Sequence, residues 1–252
     1  MSVTVSREGR VGTVRFDHPP VNVLRIAMLE EAHAGVLELL SQGVEVLLLR
    51  TAGTRAFSAG VDVADHVVER VPRMLTALHG LLELLWAAPA VSVAVVQGAA
   101  RGGGAELALG CDMVVAAAEA TFGFPEITVG CFPPVAVALL PPRLGAQLAT
   151  DMVLTGRVLT AEEALRAELI SRVAEPDQLD AAVDGLVREL LSRSASVRAI
   201  ALERLRAGWV PQAIALLRGA EAAYLDKLLA TRDVVEGVSA FLEKRPPVWS
   251  GA

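Results

Sequence analysis

The sequence predicts an α/β fold with mostly parallel strands, followed by a segment that is nearly all helix. Three observations carry this. Short apolar runs such as VEVLLLR (44–50) and VSVAVVQG (91–98) have the length and β-branched content of buried strands. Segments of helical spacing alternate with them, the pattern of an α/β sheet. After about residue 145 strand patterning ends and helical periodicity takes over.

Each element follows from local features. Residues 2–7 and 11–16 alternate apolar and polar, as two strands turning between Gly9 and Gly12. Apolar positions Ile26, Leu29, Ala32, Val36 and Leu40 give a helix over 26–41. A strand over 44–50 precedes a helix over 70–88, which Pro89 closes. After the strand at 91–98, RGGG opens another helix. DMVVAAA (112–118) and part of 120–129 are short strands. Helices are then expected over 146–154, 161–167, 177–193, 195–207 and 211–243. The charge-free window 84–100 is divided by Pro89, so it is a helix end and a buried strand, not a membrane span.

The 252 residues suffice for one large domain, with room for an appendage. With 53% hydrophobic and 21% charged residues, the chain is not of the disordered class. A net charge of -6 argues against a broad contact with nucleic acid or an anionic membrane, and leaves room for a local anion site. Cys111 and Cys131 make neither a CxxC nor a zinc spacing, and no disulfide framework is expected. MSVTVSREGRVGTVRF lacks the apolar core of a secretion signal, so a cytoplasmic location is expected.

Two stretches carry chemistry. AFSAGVDVADH (56–66) and RGGGAELALG (101–110) are both poor in side-chain bulk, and each follows a strand. Two such junctions can aim backbone N–H groups into one space, as an oxyanion hole requires. The second opens a helix, adding unsatisfied N–H groups and a partial positive charge. Glu106 lies in that helix's first turn, and FGFPEITVG (122–130) supplies Glu126. Two carboxylates beside an anion-stabilising pocket form an acid/base pair. Standing alone, the glycines also fit close helix–strand packing, and Glu106 a favourable place on the helix dipole. RGGGAE lacks the GxGxxG spacing of a dinucleotide site, and no GxxxxGK[ST] occurs.

AFSAGVDVADH, GAARGGGAELALGCDMVVAAAEATFGFPEITVG and AFLEKRPPVW together resemble the crotonase (enoyl-CoA hydratase/isomerase) family, over essentially the whole chain. VERVPRMLTALHGLL, GCFPPVAVALLPPRLG and EAAYLDKLLATRDVVEGVSAFLEKRPPVW are similar to the family's cyclohexa-1,5-diene-1-carbonyl-CoA hydratases. The resemblance implies a crotonase-like spiral of ββα repeats over 1–190, bearing the active site. It implies a helical region over 191–252 that builds homotrimers, commonly paired into hexamers. The implied partner is an acyl-CoA thioester, with no metal and no separate cofactor, coenzyme A being part of the substrate.

By motif position, the N–H groups of Val61 and Gly103 hold the thioester oxygen, and Glu106 and Glu126 are the catalytic pair. The implied reaction is addition of water to, or its removal from, a conjugated enoyl- or dienoyl-CoA. A double-bond isomerase and a straight-chain enoyl-CoA hydratase are the alternatives within the family. Where the family has a PGxGG loop with an N–H near the catalytic water, this chain has CFPPVAVALL, and Pro134 has no N–H. Phe132, Val135 and Val137 make that region bulkier, which favours a cyclic or branched acyl group, with water adding 1,4 across a cyclic diene.

His66 ends VDVADH, either as a polar contact to substrate or water or as a loop histidine. Asp62 shapes its loop. Cys131 either lines the pocket or is inert packing. Ala59, Phe241 and Lys244 match coenzyme A contacts, the latter two often supplied by a neighbouring subunit. Arg25 is a phosphate contact or a solvated arginine at a helix start, and Pro20 replaces the family's loop lysine. His18, His33 and His79 are scattered and are assigned no catalytic role.

Overall fold

The computed structural model describes residues 2–252. Strands β1 (Val3–Glu8) and β2 (Val11–Phe16) pair antiparallel around Gly9, and α1 (Ile26–Ser41) follows. Three ββ-then-helix turns come next. The first is β3 (Val46–Thr51), β4 (Ala56–Ser58) and α2 (Val71–Ala87). The second is β5 (Val91–Val96), β6 (Ala99–Arg101) and α3 (Gly103–Leu109). The third is β7 (Met113–Ala117), β8 (Thr121–Gly123), a 3₁₀ turn over Pro125–Val129, and α4 (Pro134–Leu144). The remainder is α5 (Ala146–Thr155), β9 (Leu159–Thr160), α6 (Ala161–Arg166), β10 (Arg172–Ala174), α7 (Leu179–Leu191), α8 (Ala195–Ala207), α9 (Val210–Asp226) and α10 (Arg232–Glu243).

The long strand of each turn joins a six-stranded sheet, ordered β1-β2-β3-β5-β7-β10; the short strand joins a second sheet, ordered β4-β6-β8-β9. Successive turns pair parallel in both sheets, giving the expected spiral of ββα repeats. In β3, Leu47 and Leu49 enter one core cluster while Val46 and Leu48 enter the other, with Val183 and Leu186 of α7. Both faces of the sheet are buried at β3 and β5, hence their uninterrupted apolar runs.

Three expectations change. Strands do not end near residue 145: β9 pairs antiparallel with β8 and β10 pairs parallel with β7, both being too short to show a strand period in the sequence. The helix expected over 211–243 is two helices, because Thr231 caps α10, its Oγ1 accepting from Val234 N at 3.3 Å. Residues 134–144, assigned no element from sequence, form α4 with Pro134 in its first turn and Pro141 and Pro142 near its end. Among the described residues no helix is long and apolar enough to cross a membrane.

One buried ion pair fixes α8 to the core. Arg206 donates from Nε to Asp112 Oδ1 (2.8 Å), from Nη2 to Asp112 Oδ2 (2.6 Å), and to the carbonyls of Trp86 and Ala90. Asp112 also accepts from the N–H and hydroxyl of Ser92. Removing one partner of such a pair strands the other charge. Arg206→Met is expected to lower unfolding stability by about 3–5 kcal/mol in urea titration, without touching the site below.

Candidate active site

The two bare junctions meet because β4 and β6 run parallel, with Ala56 opposite Ala99 and Ser58 opposite Ala100. The chain therefore leaves both strands at one end of the second sheet. Val61 bridges to Leu24: Leu24 N donates to Gly60 O and Asp62 N donates to Leu24 O, each at 2.9 Å. That pattern turns the N–H of Val61 away from Leu24. Gly103 is the first residue of α3, so its N–H has no acceptor within the helix. The residues are in close contact: a Cβ on Gly103 would stand 3.6 Å from Val61 N and 2.6 Å from Val61 Cγ2. Both line one cavity of about 140 Å³.

Glu106 enters that cavity from the first turn of α3 and is only 3% exposed. Its Oε1 accepts from the N–H groups of Val135 (2.8 Å) and Ala136 (3.0 Å), donors left free by the first turn of α4. Burial pushes its pKa up to about 7, against the opposing effect of those two donors. Glu126, from the 3₁₀ turn, lies across Gly102. A Cβ on Gly102 would come within 2.6 Å of Glu126 Oε1, and the residue has φ +49°. Gly102 therefore has to be bare for the second carboxylate to sit down. Glu126 Oε2 is buried with no hydrogen-bond partner among the described residues. Burial first, and then the charge of Glu106, hold its pKa well above the ordinary 4.5. The pair thus resists carrying two charges, and Glu106, with two N–H donors on one oxygen, holds the first.

The other expected site residues divide. Ala59, His66, Phe132, Pro134 and Phe241 line this cavity. The Nδ1–H of His66 donates to Asp62 O at 3.1 Å, and burial lowers its pKa against nearby carboxylates, so the ring is neutral. Asp62 Oδ1 accepts from Ala64 N, which shapes the loop. Five residues lie off the cavity wall. Val135 turns its side chain into the core and serves through its N–H, since adjacent helical residues project about 100° apart. Val137 and Cys131 line a separate groove, beyond the left-handed turn at Gly130, with Trp249. Burial raises the Cys131 thiol to about 11, so it stays protonated. Arg25 is exposed, with Nε 3.7 Å from Asp62 Oδ2, and Lys244 is exposed at the end of α10.

Tyr224 of α9 escaped sequence reasoning. It is the chain's one tyrosine and lines the cavity with its ring centroid 5.1 Å from that of Phe132. The lining thus extends beyond residue 190, through Tyr224 and through Phe241, which faces the cavity of its own chain.

A family model described as enoyl-CoA hydratase/isomerase matches residues 6–252. The chain is 35% identical over 250 residues to cyclohexa-1,5-dienecarbonyl-CoA hydratase of Thauera aromatica, covering 99% of this chain and 96% of that protein. It is 32% identical over 259 residues to carnitinyl-CoA dehydratase of Salmonella arizonae, covering 99% and 98%. Among solved structures, an enoyl-CoA hydratase from Mycobacterium avium subsp. paratuberculosis K-10 superposes with a TM-score of 0.87 at 28% identity, covering 99% of each chain.

Proposed function

The chain belongs to the enoyl-CoA hydratase/isomerase family, and from that premise we propose that it is a hydro-lyase that adds water to a conjugated cyclic dienoyl-CoA thioester, or removes it. The observation that carries this reading is the pair of buried carboxylates in one cavity with two free main-chain N–H groups. The thioester oxygen accepts from the N–H groups of Val61 and Gly103. Ionised Glu106 takes a proton from water as the water oxygen bonds to one end of the conjugated system. The displaced electron pair moves to the thioester oxygen, where the two N–H groups stabilise it. Protonated Glu126 then delivers a proton to carbon, collapsing the enolate. Both proton steps are supplied by the chain's own residues, and coenzyme A enters as part of the substrate.

The cyclic acyl group is supported by three features. The cavity is close in size to one that takes a benzene-sized ring. Phe132 and Tyr224 give it an aromatic wall. The relative named cyclohexa-1,5-dienecarbonyl-CoA hydratase aligns along almost the whole chain. Exposed Val197, Ile200 and Leu205 on α8 support the homo-oligomer that the resemblance implies.

The test is incubation in H₂¹⁸O with cyclohexa-1,5-diene-1-carbonyl-CoA, crotonyl-CoA and a branched enoyl-CoA, read by mass. Preferential label uptake by the cyclic diene supports the proposal. An unlabelled product with a moved double bond would make the chain an isomerase. The pH profile follows from the pair. Hydration is expected to rise with pH through about 7 as Glu106 ionises, and to fall at higher pH as Glu126 loses its proton. Initial rates across pH 5 to about 10 check it, and a single ionisation near 4.5 would contradict it.

A further inference from the structure

The Tyr224 hydroxyl is buried, with the residue only 1% exposed, and among the described residues it meets no oxygen or nitrogen partner, only the thiol of Cys131, a weak acceptor. A buried hydroxyl so weakly paired costs stability, and phenylalanine would fill the same space against Phe132 without that cost. The group therefore has the character of a donor kept for a ligand. The other polar side chains on the cavity wall are already committed or acidic. Thr128 donates to Pro125 O at 2.6 Å, and His66 donates from Nδ1 to Asp62 O. The start of α4 offers nothing further: Pro134 has no N–H, and those of Val135 and Ala136 are held by Glu106 Oε1. Among the described residues, and besides the glutamates themselves, Tyr224 is the one side-chain donor on this wall not held by an oxygen acceptor, its contact with the Cys131 thiol being a weak one that a ligand oxygen outcompetes. Burial, with Cys131 and both glutamates adding to it, raises the phenol's pKa, so it stays protonated throughout.

We propose that Tyr224 is a further catalytic residue, whose hydroxyl donates a hydrogen bond to the oxygen atom being added to, or leaving, the acyl group. This rests on the hydration reading above. The water needs one lone pair for carbon and both hydrogens directed to acceptors. The Tyr224 O–H engages its second lone pair and fixes its orientation. As the water oxygen bonds to carbon, one water proton passes to Glu106, the electron pair of the double bond moves to the thioester oxygen, and Glu126 protonates carbon. Tyr224 keeps its own proton. In the reverse direction the same bond stabilises the oxygen as it departs with a proton returned by Glu106.

Tyr224→Phe tests this with two activities. One is ¹⁸O incorporation from water into cyclohexa-1,5-diene-1-carbonyl-CoA or crotonyl-CoA. The other is exchange of the hydrogens next to the thioester of butyryl-CoA with D₂O, which uses the N–H pair and a carboxylate but adds no water. The variant is expected to lose about 10- to 100-fold in kcat for ¹⁸O incorporation, with KM and deuterium exchange unchanged and Tm equal or higher. Undiminished ¹⁸O incorporation, equal loss of both activities, or a lowered Tm would overturn the assignment of Tyr224 while leaving the hydration reading intact. A wild-type protein that exchanges deuterium but adds ¹⁸O to neither thioester would overturn both.

Discussion

Glu106→Gln and Glu126→Gln are each expected to slow water addition by about 10²–10⁴-fold while leaving thioester affinity nearly unchanged. Each amide keeps the shape of its carboxyl group and removes the proton transfer. The two losses are not expected to add, because either one alone stops the cycle. Stability should move the other way. The folded Glu126 carboxyl binds its proton far more tightly than the unfolded one, whose pKa lies near 4.5. Above pH 4.5 the unfolded chain releases that proton and the folded chain retains it, so stability falls as pH rises until the folded group ionises. Glu126→Gln removes this penalty. Its Tm at pH 8 should match or exceed the wild type, and its Tm should decline less between pH 5 and pH 8. Steady-state kinetics and thermal unfolding over that range check both parts. A variant that keeps its activity, or one that unfolds earlier at pH 8, contradicts the assignment.

The second large effect concerns the main chain, which side-chain truncation cannot reach. Gly103 opens α3, a position where proline suits the helix and its N–H is not needed for helical bonding. The obstacle is Val61 Cγ2, 2.6 Å from where a Cβ would stand. The double variant Val61→Ala/Gly103→Pro makes the space and deletes one of the two N–H donors. Removing one such donor costs about 2.7–4 kcal/mol of transition-state stabilisation, a loss of roughly 10²–10³ in kcat. Val61→Ala alone should work nearly as well as the wild type, because Val61 acts through its backbone. Equal activity in the double and single variants would show that this N–H takes no part.

How much was legible in the sequence depended on whether cause and effect lay close together along the chain. The long strands β3 and β5 were readable because a sheet buried on both faces demands unbroken apolar runs. The strands β4 and β6 have three residues each, too few to show a period of two, so of the second sheet only β8 was foreseen, within the short strand expected in part of 120–129. Helix α4 was masked by its prolines. Glu106, Glu126, Val61 and Gly103 could be singled out because each sits in a contiguous, unusual stretch, and the structure brings the four to one cavity. The bareness of Gly102 had a cause no local reading supplied: the carboxylate of Glu126 rests on it. Tyr224 and the N–H groups of Val135 and Ala136 reach the site only by tertiary packing, and nothing in EAAYLD or PPVAVA marks them.

If two main-chain N–H groups hold the thioester oxygen as proposed, the carbonyl stretch of a bound thioester reports on that grip directly. With butyryl-CoA labelled by ¹³C at the thioester carbonyl, isotope-difference infrared spectra of the wild-type complex should show the stretch at lower frequency than in free butyryl-CoA. In Val61→Ala/Gly103→Pro it should move back toward the free value. A wild-type stretch at the free frequency would show that the two N–H groups do not hold the thioester oxygen.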